Sequence, residues 1–342
     1  MQWLVWLATP AVALCLVIFA RAQTAMFKGG TDFRLPLEYH PASNGVVRLK
    51  TLLTGAKFQT VSNSISVITL TRPRIENYRE DGTTLIWTAI SPECIVNTAT
   101  RQVSGPTNIF FRTADNRHYL TGVGFLWQQS NSVLILSNQT FTWIDRQDLS
   151  SSPGESKDGK MKLPLAWSLI ATVKLTAAEI ELPPAKPGLT IQSSNILFDL
   201  VSNSILYSNN VVVVDKPLGT NQPETIITCN WATAKRSAAG MEEIVAYEKV
   251  TIDQGDKHAR GNHAIYTATN EQLVLTGSFS AENPLPHLYL SSSGVTQAAV
   301  RIIYDRKNNT IRGEGEAIMT VPASALKSGS TTNPNGARKI FP

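Results

Sequence analysis

The sequence predicts an all-β protein: two tandem β domains behind an N-terminal apolar segment. Three observations point there. Short runs rich in β-branched and aromatic residues alternate at a period of two, turn residues recur roughly every 8 to 12 positions, and a hairpin-sized unit repeats along the chain. With 342 residues, 42% of them hydrophobic, the chain has apolar surface for one large or two medium cores. Single cores rarely grow past about 250–300 residues, which favours two.

Residues 3–20 form an apolar run of 18 broken only by Thr9 and Pro10, and Ala20-Arg21-Ala22 follows in the small-x-small form of a signal-peptidase site. Residues 1–22 therefore read as a signal peptide or a membrane anchor. Pro10 and the Ala-x-Ala pattern favour cleavage, while about 20 apolar residues suffice to span a bilayer. Either way the remainder is expected to be exported. Leu14 precedes Cys15 where a lipoprotein signal needs a small residue.

Residues 23–45, with Gly29-Gly30, Pro36 and Pro41 and little periodicity, are expected to be a tether. Residues 46–148 read as the first β domain. Ile65 and Val67 alternate with polar residues, Arg79-Glu80-Asp81-Gly82 signals a hairpin turn before Leu85, Trp87 and Ala89, and Asp115-Asn116 separates Phe110-Phe111 from the strands at 119–127 and 133–143. Residues 149–162, Ser-, Gly- and Lys-rich, are the expected linker. Residues 163–326 read as the second β domain, with a stiff connection at Pro183-Pro184-Ala185-Lys186-Pro187-Gly188. Residues 327–342 read as a disordered tail.

The repeat is an aromatic residue followed eleven positions later by Gly or Asn: Trp127 and Asn138, Phe198 and Asn209, Tyr266 and Gly277, Tyr304 and Gly315. Two places before each aromatic stands Phe125, Ile196, Ala264 or Ile302, and seven places after it stands Leu134, Ile205, Leu273 or Ile311. A fifth copy, Cys94 with Gly105, lacks the aromatic. Each unit reads as strand, tight turn, strand, and a corner where φ turns positive or the backbone bends. Such units laid side by side give a sheet that folds over on itself with one apolar face inside. In the unit at 190–215 the inward row is Ile196, Phe198, Ile205, Tyr207, Val211 and Val213.

The text from Ile68 to Trp127, a strand, a short charged turn ending in Gly, then an apolar strand, resembles the LptC-type periplasmic domain. Residues 195–215 and 243–284 resemble the LptA or OstA-type domain through Asn262-His263-Ala264-Ile265-Tyr266 and the Leu275-Thr276-Gly277 corner. The resemblance covers roughly residues 64–145 and 190–321. It implies V-shaped β-jellyrolls that hold lipopolysaccharide acyl chains as the lipid crosses the periplasm. It also implies head-to-tail docking, through edge strands, with other OstA-like domains and an inner-membrane transporter complex. Family members carry one such domain, whereas this chain carries two in tandem.

On that reading the chain is a non-catalytic periplasmic lipid-transfer protein without cofactor, tethered at the inner membrane if residues 3–20 are retained. Its ligand is lipopolysaccharide or a related anionic glycolipid. The acyl chains would lie against Ile196, Phe198, Ile205, Tyr207, Val211, Val213, Ala264, Tyr266, Leu273, Leu275, Phe279, Ile302 and Tyr304, with Phe125 and Trp127 in the first domain. The alternative is a structural or interaction protein of the envelope, built from the same repeats around a dry core.

Other classes find less support. The 31 Lys and Arg exceed the 26 Asp and Glu by five, with no block of five like charges, which argues against nucleic acid as a partner. Cys94 and Cys229 fall in different domains and read as buried small hydrophobes. His258 and His263 are five apart in strand text, hence on opposite faces, and Asp253-x-x-Asp256 lacks the further acids of a calcium loop. No nucleophile elbow, phosphate loop or metal-spaced Cys pair appears. Asn138 and Asn308 begin glycosylation-type triplets, but both fall at repeat turns, where Asn has a backbone reason to be.

Overall fold

The computed structural model describes residues 29–42, 45–61, 66–145, 188–216, 223–237, 240–267, 270–278, 280–281 and 283–323. The N-terminal apolar run, the 149–162 linker, most of the proline-rich connection, Phe279 and the 327–342 tail lie outside the described residues. The fold is all-β, and every strand pair with a defined register is antiparallel. The chain divides into two compact β units.

The first unit contains β1 (Gly29–Tyr39), β2 (Leu49–Thr60), β3 (Val67–Thr71), β4 (Arg74–Tyr78), β5 (Leu85–Ile90), β6 (Glu93–Asn97), β7 (Gln102–Thr113), β8 (His118–Gln128) and β9 (Val133–Asp145). Long β2 pairs with both β4 and β3, and long β7 pairs with both β5 and β6. β3 and β4 are therefore one strand broken at Arg72-Pro73, and β5 and β6 are one strand broken at Ser91-Pro92. Proline has no N–H for the ladder, so the two breaks face each other. Arg72 N donates to Pro92 O at 2.7 Å and Ser91 N to Pro73 O at 3.2 Å.

β1 corrects the expectation of a tether over 23–45. Residues 29–39 pair with β2 along their whole length. Phe33, Leu35 and Leu37 are partly buried and alternate with exposed Arg34 and Pro36, a period-two signal that the flanking glycines and Pro36 conceal. Pro36 is tolerated with a register shift beside it.

Next in the chain come β10 (Gly188–Asp199) and β11 (Ser204–Asp215). Ser193–Ile205 groups with the first unit, although the sequence reading places it in the second domain. Thr140 Oγ1 donates to Ser193 O at 2.9 Å, and the Phe111 and Phe198 rings meet edge to face at 5.6 Å.

The second unit contains the rest of that hairpin, β12 (Thr225–Ser237), β13 (Gly240–Gln254), β14 (Lys257–Thr267), β15 (Gln272–Thr276), β16 (His287–Leu290), β17 (Val295–Ala298), β18 (Arg301–Asp305), β19 (Thr310–Glu314) and β20 (Ile318–Thr320). Broken strands recur here. β14 pairs with β15 and β16, which flank Gly277 and the prolines at 284 and 286; these pair onward with β18 and β17, and those with β19 and β20.

The register explains the repeat. Trp127 stands opposite Leu134, Tyr266 opposite Leu273, and Tyr304 opposite Ile311. The loop inside each pair has four residues, and its last residue is left-handed: Ser132 (φ 54°), Glu271 (φ 51°) and Asn309 (φ 52°), with Asn203 (φ 52°) in the 190–215 unit. The fifth copy is present but offset by two. Val96 stands opposite Val103, Arg101 takes the left-handed place at φ 53°, and Cys94 fills the position two before. Asn138, Asn209 and Gly315 have φ of 73°, 63° and 81° and are the anticipated corners. Gly277 is glycine for a different reason: a Cβ there would come within 2.7 Å of Pro286 Cδ and closer still to the Pro284 carbonyl.

Candidate functional site

The inward parity puts the expected row inside. Ile196, Phe198 and Ile205 are buried with Phe125 and Trp127 in the first unit. Tyr207, Val211, Val213, Ala264, Tyr266, Leu273, Leu275, Ile302 and Tyr304 are buried in the second. All fourteen are at most 9% exposed. Within the second unit cross-strand pairing brings them together, for example Ala264 opposite Leu275, which faces Ile302 in turn. The outward neighbour Ile265 is on the opposite face and only partly covered. These side chains offer apolar surface and aromatic edges, and no reacting group.

The turn end of the second unit carries a buried polar cluster that the sequence did not disclose. Arg306 pairs with Asp215, the two side chains being 6% and 5% exposed. The guanidinium lies over the Tyr266 ring at 5.7 Å. Tyr304 Oη donates to Gln254 Oε1 at 2.5 Å, and Gln254 Nε2 donates to Thr225 Oγ1 at 2.9 Å. Burial raises the Tyr304 phenol, keeping it a donor. Charged residues next to strand ends are ordinary in sequence, so only the fold reveals that these face inward; Asp215 shares the parity of Val211 and Val213.

The first unit contains a cavity of about 670 Å³ bounded by Leu35–Tyr39 of β1, the end of β6, the loop to β7, and Gln129. Its walls are apolar at Leu35, Leu37, Val96 and Val103 and polar at Lys50, Asn97, Arg101 and Gln102. Gln129 Nε2 donates to Leu37 O at 2.5 Å, and Gln129 N to Arg101 O at 3.0 Å, so that one residue holds both sides. Sequence reading missed this cavity because it assigned β1 to a tether. The alternation of Phe33, Leu35 and Leu37 was the available signal.

Among the described residues, Cys94, Cys229, His258, His263 and Asp256 are each buried or engaged. Burial pushes the Cys94 thiol up to about 12 and that of Cys229 up to about 11, far from a reactive thiolate. His258 Nδ1 is 2.7 Å from Asp253 Oδ1, and His263 Nδ1 is 2.8 Å from Thr276 Oγ1. Asp256 accepts from Ser292. Among the described residues no three His, Cys, Asp or Glu converge as a metal site would require.

Residues 190–310 match the family model described as LptA/(LptD N-terminal domain) LPS transport protein. No curated protein matches the chain. Among solved structures it is similar to LptH, the LptA-homologous periplasmic component of the conserved lipopolysaccharide transport device from Pseudomonas aeruginosa. That likeness has 17% identity over 40% of this chain and 96% of the other, with a TM-score of 0.33. The family match spans 190–310, about a third of the chain, and over those residues the chain is similar to the LptA/LptD N-terminal domain of lipopolysaccharide transport.

Proposed function

We propose that the chain is a non-catalytic periplasmic carrier that binds lipopolysaccharide acyl chains between its inward β faces and passes them toward the outer membrane. The observation that carries this reading is the coincidence of the matched family domain with a fully inward apolar row. Each methylene moved from water onto that row contributes about 0.8 kcal/mol. Because the row is at most 9% exposed, acyl chains replace side-chain neighbours, and the two faces part to admit them. The first unit, which includes β1, acts as the LptC-like domain and the second as the LptA-like domain. Edge strands dock to the inner-membrane transporter and to other OstA-like domains, and residues 3–20 export or tether the chain.

The close packing favours a second reading, a β-repeat interaction protein with a dry core. The mass spectrum of lipid co-purifying with the exported protein separates the two. Lipopolysaccharide in stoichiometric amount supports the carrier; no lipid together with no binding of a hydrophobic probe supports the dry core.

A further inference from the structure

The geometry points to the cavity beside β1 as the seat of a phosphate-bearing headgroup, with Arg101 and Lys50 as its ligands. The inference rests on the carrier reading and specifies where the cargo's anionic end is held.

Several acceptors of the polar lining are already engaged, which leaves donors free. Asn97 Oδ1 accepts from Ala99 N and Thr100 N, each at 3.1 Å, which leaves Asn97 Nδ2. Gln102 Oε1 accepts from Thr100 Oγ1 at 3.3 Å, which leaves Gln102 Nε2. Glu38, the one carboxylate in the lining among the described residues, takes Lys50 Nζ at 3.1 Å and Thr51 Oγ1 at 3.2 Å. Lys50 keeps two of its three N–H donors. Arg101 has no carboxylate partner among the described residues, so Lys50 and Arg101 outnumber the one carboxylate of the lining.

The backbone fixes the base of the Arg101 side chain. Arg101 is the left-handed last residue of the β6–β7 loop, and its carbonyl is held by Gln129 N. A guanidinium binds phosphate oxygens through paired N–H bonds, and charge-assisted bonds are the strong ones. Leu35 and Leu37 of β1, both partly exposed, add apolar surface to the same lining for the lipid end. A volume of about 670 Å³ is in the usual range of ligand sites, about 300–1,000 Å³. Donors and apolar side chains sharing one lining describe the headgroup junction of an acidic amphiphile.

The test uses the full chain and two probes, bisphosphoryl lipid A and its dephosphorylated form, each in detergent micelles, with binding read by thermophoresis. Arg101→Asn removes the charge while keeping a residue that tolerates the left-handed backbone; Lys50→Gln, on β2, is the second variant. The wild type is expected to prefer the phosphorylated probe. Either variant should lose about tenfold of that preference with the dephosphorylated probe unaffected, and inorganic phosphate should compete only weakly. Equal affinity of the wild type for both probes, or variants that keep the preference, would overturn the headgroup assignment and leave the carrier reading standing. Inorganic phosphate binding as tightly as the lipid would overturn the amphiphile. Failure of the wild type to bind either probe would remove the carrier reading itself.

Discussion

Replacing Arg306 by Met tests how the second unit closes its turn end. Arg306 and Asp215 are buried together at 6% and 5% exposure, and the guanidinium also covers the Tyr266 ring at 5.7 Å. Met keeps most of the aliphatic stem but leaves the Asp215 carboxylate inside without its cation. Breaking a buried pair by removing one partner costs about 3–5 kcal/mol, a large share of a domain's roughly 5–15 kcal/mol. Replacing both partners by apolar residues is often neutral or stabilising, because both desolvation costs vanish together. The double variant Asp215→Leu/Arg306→Met is therefore expected to return to within about 1 kcal/mol of wild type. Urea unfolding followed by circular dichroism gives all four corners of the double-mutant cycle. A single variant that loses less than about 1 kcal/mol, or a double variant no better than the worse single, would show that the pair is not energetically buried.

Three further outcomes follow from the same geometry. Leu275→Ala, at a residue only 1% exposed, should cost about 2–5 kcal/mol in the same unfolding assay, whereas Ile265→Ala on the outer face should cost less. Gly277→Ala should destabilise by about 1–3 kcal/mol, because the new methyl meets Pro286 and the Pro284 backbone; a midpoint shift no larger than that of an exposed surface variant would contradict the close approach. Burial holds the His263 imidazole below its ordinary 6.5, with Glu243 pulling the other way. With the folded value lowered, the unfolded chain takes the proton first, so this contribution is complete above about pH 6.5 and is lost as pH falls through the folded value. His263→Gln should therefore flatten the fall in Tm between about pH 7.5 and about pH 5.5; an unchanged slope would assign that fall to other groups.

The inward row was legible because strand parity is a local property: Ile196, Phe198, Ile205 and Tyr207 alternate whatever the sheet does around them. The corners at Asn138, Asn209 and Gly315 were legible because a positive φ selects Asn and Gly. Left-handed positions at Glu271 and Arg101 were not, since loop length and the cross-strand register impose that conformation on residues with no preference for it. The fifth repeat was placed two residues early for a different reason, since Val96 stands where the other copies have an aromatic. β1 was lost to its glycines and proline, and with it went the cavity that β1 walls. The Asp215–Arg306 pair joins residues 91 apart in sequence, a distance over which a single sequence holds no pairing signal.

The most direct measurement is site-specific photo-crosslinking in living cells, with the probe at Tyr266 or Phe198 on the inward face and at Ile265 on the outward face. The carrier account predicts lipopolysaccharide adducts from Tyr266 and Phe198 and none from Ile265. Adducts from Ile265 alone, or none from either inward position, would contradict it.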